Sequence, residues 1–393
     1  MDIGKIVITH AKRTPIGKFG GALAPLSAVE MGTHAVKAVL EESGVDKSAI
    51  DEVYMGHARQ AGCGPNPARQ VMLNAGIANT GVASTINMAC ASGLKAILLG
   101  AQSIANGDAK IIISGGMESM SNVPHIIENF RDGLRMGNKE LTDLMYRDGF
   151  HCPLADQLMG RTAETLREQY NLTREEQDEF ASASHNKAEA AIEAGNFKAE
   201  IAPITVKFRR KETLIENDEP PRYGQTAAGM AKLPAVFMEG GSVTPGNASG
   251  ITDGASAVLL MHEDTAKELG YEIMARLEGY AFAGVDPKVM GIGPVPATRK
   301  LNEKLGLTLK DYDLIELNEA FAAQALSCFK ELDIDPEITN VNGGAIALGH
   351  PIGNTGARII VTLLHAMKAR NAKRGLASLC VSGGLGASVS LTR

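Results

Sequence analysis

Two distant stretches of this 393-residue chain say nearly the same thing in the same order. Ser92-Gly93-Leu94-Lys95 opens a run with Leu94, Ile97, Leu98, Ala101 and Ile104 at helical spacing, closed by Gly107. Thr355-Gly356-Ala357-Arg358 opens another, carrying Ile359, Ile360, Leu363, Leu364 and Met367. Each run leads to an apolar strand and a matching tetrapeptide, Ile113-Ser114-Gly115-Gly116 and Val381-Ser382-Gly383-Gly384. A strand at Val53 precedes Gly93 by 40 residues, and one at Ile315 precedes Gly356 by 41. Ordered self-similarity marks a duplicated unit. Strand–helix–strand alternation makes each copy α/β. The chain is therefore expected to fold as two α/β halves that meet about a pseudo-twofold axis.

The rest of the pattern places the boundaries. Ser27 and Glu30 form a capping box ahead of a helix that ends at Gly44. Short strands are expected at 5–9, 51–55, 84–88, 255–261, 314–317 and 376–381, with another ending at Val341. Residues 121–250 lose the alternation and mix Gly, Pro, Met and charge, apart from a helix capped by Thr173 and Glu176 and stopped by Gly195. The expected division is 1–120 plus 251–272 as the N-terminal half, 121–250 as an inserted loop domain, and 273–393 as the C-terminal half.

Composition narrows the function. Net charge is −6 and aromatics make up only 4%, which argues against a nucleic-acid surface. No uncharged apolar run approaches the ~18 residues of a membrane helix, and the N-terminus reads as neither a signal nor a transit peptide. The five cysteines, Cys63, Cys90, Cys152, Cys328 and Cys380, are odd in number and lack C-x2-C spacing. A disulfide framework and a metal site are therefore not expected, and a reducing cytoplasm is. The chain carries free thiols, and 43 glycines that let backbone approach a ligand closely.

Four residues stand where chemistry is done. Cys90 lies between a strand and the first turn of a helix, where free N–H groups and the dipole should lower a thiol's pKa; the plain alternative is a buried structural Cys. His350 sits in the glycine-dense GGAIALGHPIGNTG, which carries neither a dinucleotide fingerprint nor a P-loop. Cys380 ends a strand ahead of a Gly-rich turn whose N–H groups suit an oxyanion. Asn318 opens NEAFA, where it serves equally as a helix N-cap or as the holder of a water.

These segments together resemble the thiolase family. The resemblance rests on RTPIGKFGG (13–21), NPARQ (66–70), NMACASGLKA (87–96), SGGMESMS (114–121), GNASGITDGA (246–255), NEAFA (318–322), GGAIALGHPIGNTGAR (343–358) and LCVSGGLG (379–386), all in order along the chain. It implies duplicated α/β halves in a layered αβαβα arrangement with an inserted loop domain. It implies reversible Claisen condensation of two acetyl-CoA to acetoacetyl-CoA plus CoA through an acetyl-Cys90 intermediate, beside the broader activity of a 3-ketoacyl-CoA thiolase of β-oxidation. In that scheme His350 takes the Cys90 proton, Cys380 is the general base, and His350 with an Asn318-held water forms one oxyanion hole. The backbone N–H groups of Cys90 and Ser382 form the other. Coenzyme A contacts carry over to Arg222 and Ser249, and the pantetheine or acyl pocket to Phe150, Met159, Met290 and Phe321. Coenzyme A thioesters are then substrates, no tightly bound cofactor is implied, and the family assembly is a homotetramer whose assembly loop lies near 122–145.

Two departures matter. Ser382 stands where most members have Gly, a difference that a strained backbone angle would punish. Leu158 stands where many short-chain biosynthetic members carry His, which keeps the broader chain-length activity in view.

Overall fold

The computed structural model describes residues 3–393, leaving Met1 and Asp2 outside the described residues. Its backbone is organised by one mixed sheet. The strands are β1 (Ile6–Arg13), β2 (Glu52–Gly56), β3 (Val82–Ile86), β4 (Ile111–Ser119), β5 (Thr252–His262), β6 (Ala275–Gly284), β7 (Leu314–Leu317), β8 (Arg374–Val381) and β9 (Leu385–Thr392). They run in the order β7-β8-β9-β6-β1-β5-β4-β2-β3, with the short strand Gly17–Lys18 attached to β5.

The duplication is visible in the pairing. In the first half β1 pairs antiparallel with β5 and β5 with β4, while β4–β2 and β2–β3 are parallel. In the second half β6 pairs antiparallel with β9 and β9 with β8, while β8–β7 is parallel. A parallel bridge from Ile315 to Thr339 stands where β3 stands in the first half. That bridge is all that forms near the strand expected to end at Val341. Among the described residues the two sheet halves are joined by two strand-paired positions, Val7–Arg276 and Ile8–Ala275. All strands of this sheet lie outside 121–250. That segment contributes three two-stranded pairs and the helices Met159–Gln169, Arg174–Glu193 and Ala227–Met230.

Helices complete the layers. The principal ones are α1 (Ala28–Ser43), α2 (Ser92–Asn106), α3 (Arg174–Glu193), α4 (Pro294–Leu305), α5 (Ala322–Leu332) and α6 (Ile352–Arg370). Along β5 the side chains alternate between faces, as strand geometry requires. Val258 and Leu260 pack into the central core with α2 and α6, whereas Ala257, Leu259 and Met261 pack against α1. The same central core takes Leu379, Val381, Val389 and Leu391 from the second half. Beyond it, Ala281, Ile315 and Leu376 pack against Val295 and Leu301 of α4 and Cys328 of α5. The section is thus α1, first sheet half, α2 with α6, second sheet half, α4 with α5. Both capping boxes form as expected, Ser27–Glu30 on α1 and Thr173–Glu176 on α3.

The repeated glycines meet at the centre. A Cβ on Gly93 would lie 2.7 Å from the amide nitrogen of Ala357, and one on Gly356 would lie 2.5 Å from that of Leu94. Each repeat's glycine therefore admits the other repeat's helix. Gly356→Ala is expected to push α2 and α6 apart and cost about 1–3 kcal/mol, as overpacking does. Denaturant midpoints measure this; an unchanged midpoint contradicts the close approach.

One part of the repeat is out of register. Gly93 and Gly356 are 263 positions apart. Ile113 pairs with Val53 and Leu376 with Ile315, and Ile113 and Leu376 are also 263 apart. Val381 is 268 from Ile113, so the second tetrapeptide falls five residues late. Ser114-Gly115-Gly116 lies inside β4, which runs on to Ser119, whereas Gly383 and Gly384 form the β8–β9 turn with φ of +90° and +84°. Ser114 is therefore no counterpart of Ser382.

Candidate active site

Cys90 occupies a pinned elbow between β3 and α2. Ala89, just before it, adopts a left-handed φ of 43°, a conformation that non-glycine residues hold only where surroundings enforce it. The enforcement is local. Asn87 Oδ1 accepts from Ala89 N (3.0 Å), Ser92 Oγ donates to Ala89 O (2.6 Å), and Met88 N donates to Ser92 Oγ (2.9 Å). The thiol is buried, and burial raises its pKa. Opposing that rise are the N–H of Ser382, the charge of Arg59 and its own N–H. The lowered thiol pKa expected from the helix start is thus not observed, because desolvation outweighs the donors. Two of these influences are backbone N–H groups that act on the same sulfur, those of Ser382 and of Cys90 itself.

Ser382 fits without strain. It is not among the residues of positive φ; Gly383 and Gly384 absorb that demand. Cys380, expected at the end of a strand, is the penultimate residue of β8 and almost fully buried. Burial raises its pKa well above the ordinary value, and the nearby Cys90 raises it further. Cys380 packs with Met159, Met290, Ala320 and Cys152, and Phe321 lies against them. Phe150 packs onto the core that contains Cys90.

His350 is buried, and burial followed by the charges of Arg358 and Arg59 lowers its pKa to about 3. It is therefore neutral at neutral pH. Its Nδ1 lies 2.7 Å from Thr355 Oγ1, and Thr355 Oγ1 donates to Pro351 O at 3.0 Å. The hydroxyl proton being used, Thr355 accepts from Nδ1–H, which leaves the Nε2 lone pair free to take a proton.

Asn318 follows β7 directly and is fully buried. It does not cap a helix: α5 begins at Ala322 with Phe321 at its N-cap. Both polar atoms of its side chain lack a hydrogen-bond partner. A buried amide without a protein partner is costly. Glu319, the next residue, is buried and accepts from Ser184 Oγ, Asn340 Nδ2 and Ile346 N.

Hydrogen bonds lace these segments into a ring. Asn318 N donates to Ser378 O on the Cys380 strand. Ser249 N donates to Ala320 O, and His350 N to Gly250 O. Gly353 N donates to Glu118 Oε2, and the same carboxylate accepts from Ala58 N and Arg59 N. Asn87 Nδ2 donates to Ala58 O, and Asn87 holds the Cys90 elbow. The N–H of Ser382 lies near enough to the Cys90 thiol to lower its pKa, which brings the two ends of this series together. Arg222 is outside it, exposed on the insertion, its N–H donating to His185 Nδ1 (3.2 Å). Burial followed by the Arg222 charge lowers the His185 pKa to about 4.

Glu118, His57, Arg59 and Phe237 were not marked by sequence reasoning. Glu118 stood inside the quoted SGGMESMS, but nothing in the string shows that a strand carboxylate is fully buried. Phe237 lies against Gly160 and packs edge-on to Phe321. Cys328 donates to Gly291 O, and burial raises its pKa to about 12.

Two duplicated α/β halves, each bringing one of the buried thiols Cys90 and Cys380, are what an acyl-transfer enzyme working through sulfur requires, and the chain belongs to the thiolase family. The N-terminal thiolase domain model matches residues 6–264 and the C-terminal one residues 271–393. An acetyl-CoA acetyltransferase of Pseudomonas aeruginosa is 52% identical over 389 residues, covering 99% of both chains. The acetyl-CoA acetyltransferase structure from Bacillus anthracis superimposes with a TM-score of 0.97 at 47% identity, covering 99% of this chain and 98% of that one. The structure of human mitochondrial 3-ketoacyl-CoA thiolase gives the same TM-score at 40% identity, covering all of both chains.

Proposed function

We infer that the protein is an acetyl-CoA C-acetyltransferase, joining two acetyl-CoA into acetoacetyl-CoA and CoA and running the reverse thiolysis. The observation that carries this is the pair of buried thiols, Cys90 and Cys380, coupled to each other inside a ring that also holds His350 and Asn318.

The protons balance around that ring. The Cys90 sulfur attacks the acetyl carbonyl while its proton passes to His350 Nε2. The N–H groups of Cys90 and Ser382 hold the oxyanion. The C–S bond to coenzyme A breaks, and the departing sulfur takes the proton of Cys380, which its raised pKa keeps in place until then. Cys380 is now a thiolate, and a strong one for the same reason. It removes a methyl proton from the second acetyl-CoA. His350 and the water on Asn318 stabilise the enolate oxygen. The enolate carbon attacks acetyl-Cys90, the C–S bond to Cys90 breaks, and the Cys90 sulfur recovers its proton from His350.

Met159, Met290, Phe321 and Phe150 line the way to the thiols, with Ser249 and Arg222 toward the pantetheine and nucleotide ends of coenzyme A. The three-part division at 1–120 with 251–272, 121–250 and 273–393 is supported by the confinement of the main sheet to the outer parts. The homotetramer is supported by Ile127, Phe130, Leu134, Met136 and Leu141, exposed apolar residues clustered in the insertion; the mass of the assembly in solution tests it. No helix among the described residues is long and apolar enough to cross a membrane. A reducing cytoplasm suits a site built on free thiols.

Thiolysis rates on acetoacetyl-CoA and on longer 3-ketoacyl-CoA esters test the substrate. Acetoacetyl-CoA is expected to be used at a kcat/KM at least about tenfold higher, the scale on which an apolar pocket separates chain lengths. The reverse order supports the broader thiolase activity, which Leu158 beside Met159 favours.

A further inference from the structure

Glu118 has no part in the mechanism above, yet it sits where the two catalytic halves touch. It lies in β4, fully buried. Its Oε2 accepts from Gly353 N at 2.8 Å and from Ala58 N at 3.2 Å, and its Oε1 accepts from Arg59 N at 3.1 Å. His57 Nε2 lies 3.2 Å from Oε1. Gly353 belongs to the first turn of α6, three residues after His350. That helix has Pro351 at its N-cap, which offers no capping side chain. Its open amide is served instead from a strand 235 residues away, by a charge of the sign that a helix start favours. Ala58 in turn is held through Asn87 to the Cys90 elbow. One carboxylate therefore ties the segment bearing the proton acceptor to the segment bearing the nucleophile.

We propose that Glu118 is the positioning residue that fixes His350 against Cys90, using both carboxylate oxygens as acceptors from the two halves; this rests on the roles given above to Cys90 and His350. The charge state supports it. Burial alone would raise the Glu118 pKa, but His57, Arg59 and the backbone donors outweigh it and hold the group ionised. Burial likewise opposes a charged His57, yet Cys63 and Glu118 raise its pKa to about 9, so the pair is ionic at neutral pH. An ionised carboxylate is acceptor-only. Glutamine in its place turns an NH2 toward a donor, while aspartate keeps two acceptor oxygens on a shorter reach.

The test is the rate of Cys90 acetylation by saturating acetyl-CoA, followed by rapid quench and mass spectrometry, with KM from the initial rates. Glu118→Gln is expected to slow acetylation about 10- to 100-fold, the penalty of a slightly misplaced pair, with KM changed by less than about twofold. Glu118→Asp is expected to recover part of the rate at the same KM. A wild-type rate in Glu118→Gln overturns the proposal. So does an equal loss in both variants with KM rising in parallel, which marks a general loosening. If Glu118→Gln does not fold, Glu118→Asp decides: a several-fold loss at constant KM supports positioning, and a wild-type rate overturns it. Absence of any adduct on Cys90 in the unaltered enzyme is a separate result, because it contradicts the underlying mechanism before Glu118 is touched.

Discussion

Cys380→Ser is expected to separate the two half-reactions. The serine hydroxyl keeps the size of the thiol but is a far weaker acid, so it cannot become the base that draws a proton from an acetyl methyl group. Condensation should fall by about 10³-fold, within the range for loss of a general base. Acetylation of Cys90 should persist within about tenfold, because a coenzyme A thiolate leaves readily and is protonated from solvent. The elevated Cys380 pKa underlies both halves of the expectation: it keeps the resting thiol protonated and makes the later thiolate basic. The checks are acetoacetyl-CoA formation and acetyl-enzyme formation in the same preparation. Condensation at the wild-type rate removes Cys380 from the role of base.

Cys90→Ala has the larger effect. It removes the only atom that attacks the thioester while keeping the backbone N–H that serves the oxyanion. Both directions should fall by at least about 10⁴-fold, as for other enzymes stripped of their nucleophile. Substrate affinity should change little, because the pocket around Met159, Met290 and Phe321 stays in place. The elbow should also survive, because Asn87 and Ser92 hold Ala89 at positive φ through hydrogen bonds to the Ala89 backbone. Steady-state rates with an equilibrium measurement of acetyl-CoA binding check this. Residual turnover near the wild-type value contradicts the assignment outright.

Local signals carried much of the fold. The capping boxes at Ser27 and Thr173 predicted two helix starts to the residue, because capping depends on neighbours three positions away. Gly93 and Gly356 announced the duplication because close helix contact tolerates nothing larger. The tetrapeptide match misled for an equally physical reason. Gly-Gly serves a buried strand against backbone in one half and a tight turn in the other, so identical letters answered different demands. The strands Ala275–Gly284 and Leu385–Thr392 were missed because their small and polar residues hide the apolar alternation. They are nonetheless the second half's counterparts of β1 and β5.

The site was legible as motifs and illegible as electrostatics. Cys90, His350, Asn318 and Cys380 stand on segments that the hydrogen-bonded ring brings together. The direction of the Cys90 pKa could not be read from its position at a helix start, because burial in the folded chain decides it. Asn318 reads equally as a helix cap or as the holder of a water, and α5 begins only at Ala322, which removes the cap reading. Glu118 joins residues that are 60 and 235 positions away, and no local pattern encodes such a joint.

Turnover by this route requires an acetyl group to rest on Cys90. Mixing the unaltered enzyme with acetyl-CoA alone, quenching in acid and sequencing the modified peptide by mass spectrometry tests it most directly. One acetyl group per chain, on Cys90 and removed on adding coenzyme A, is the predicted result. An adduct on Cys380 or another residue, or none, contradicts it.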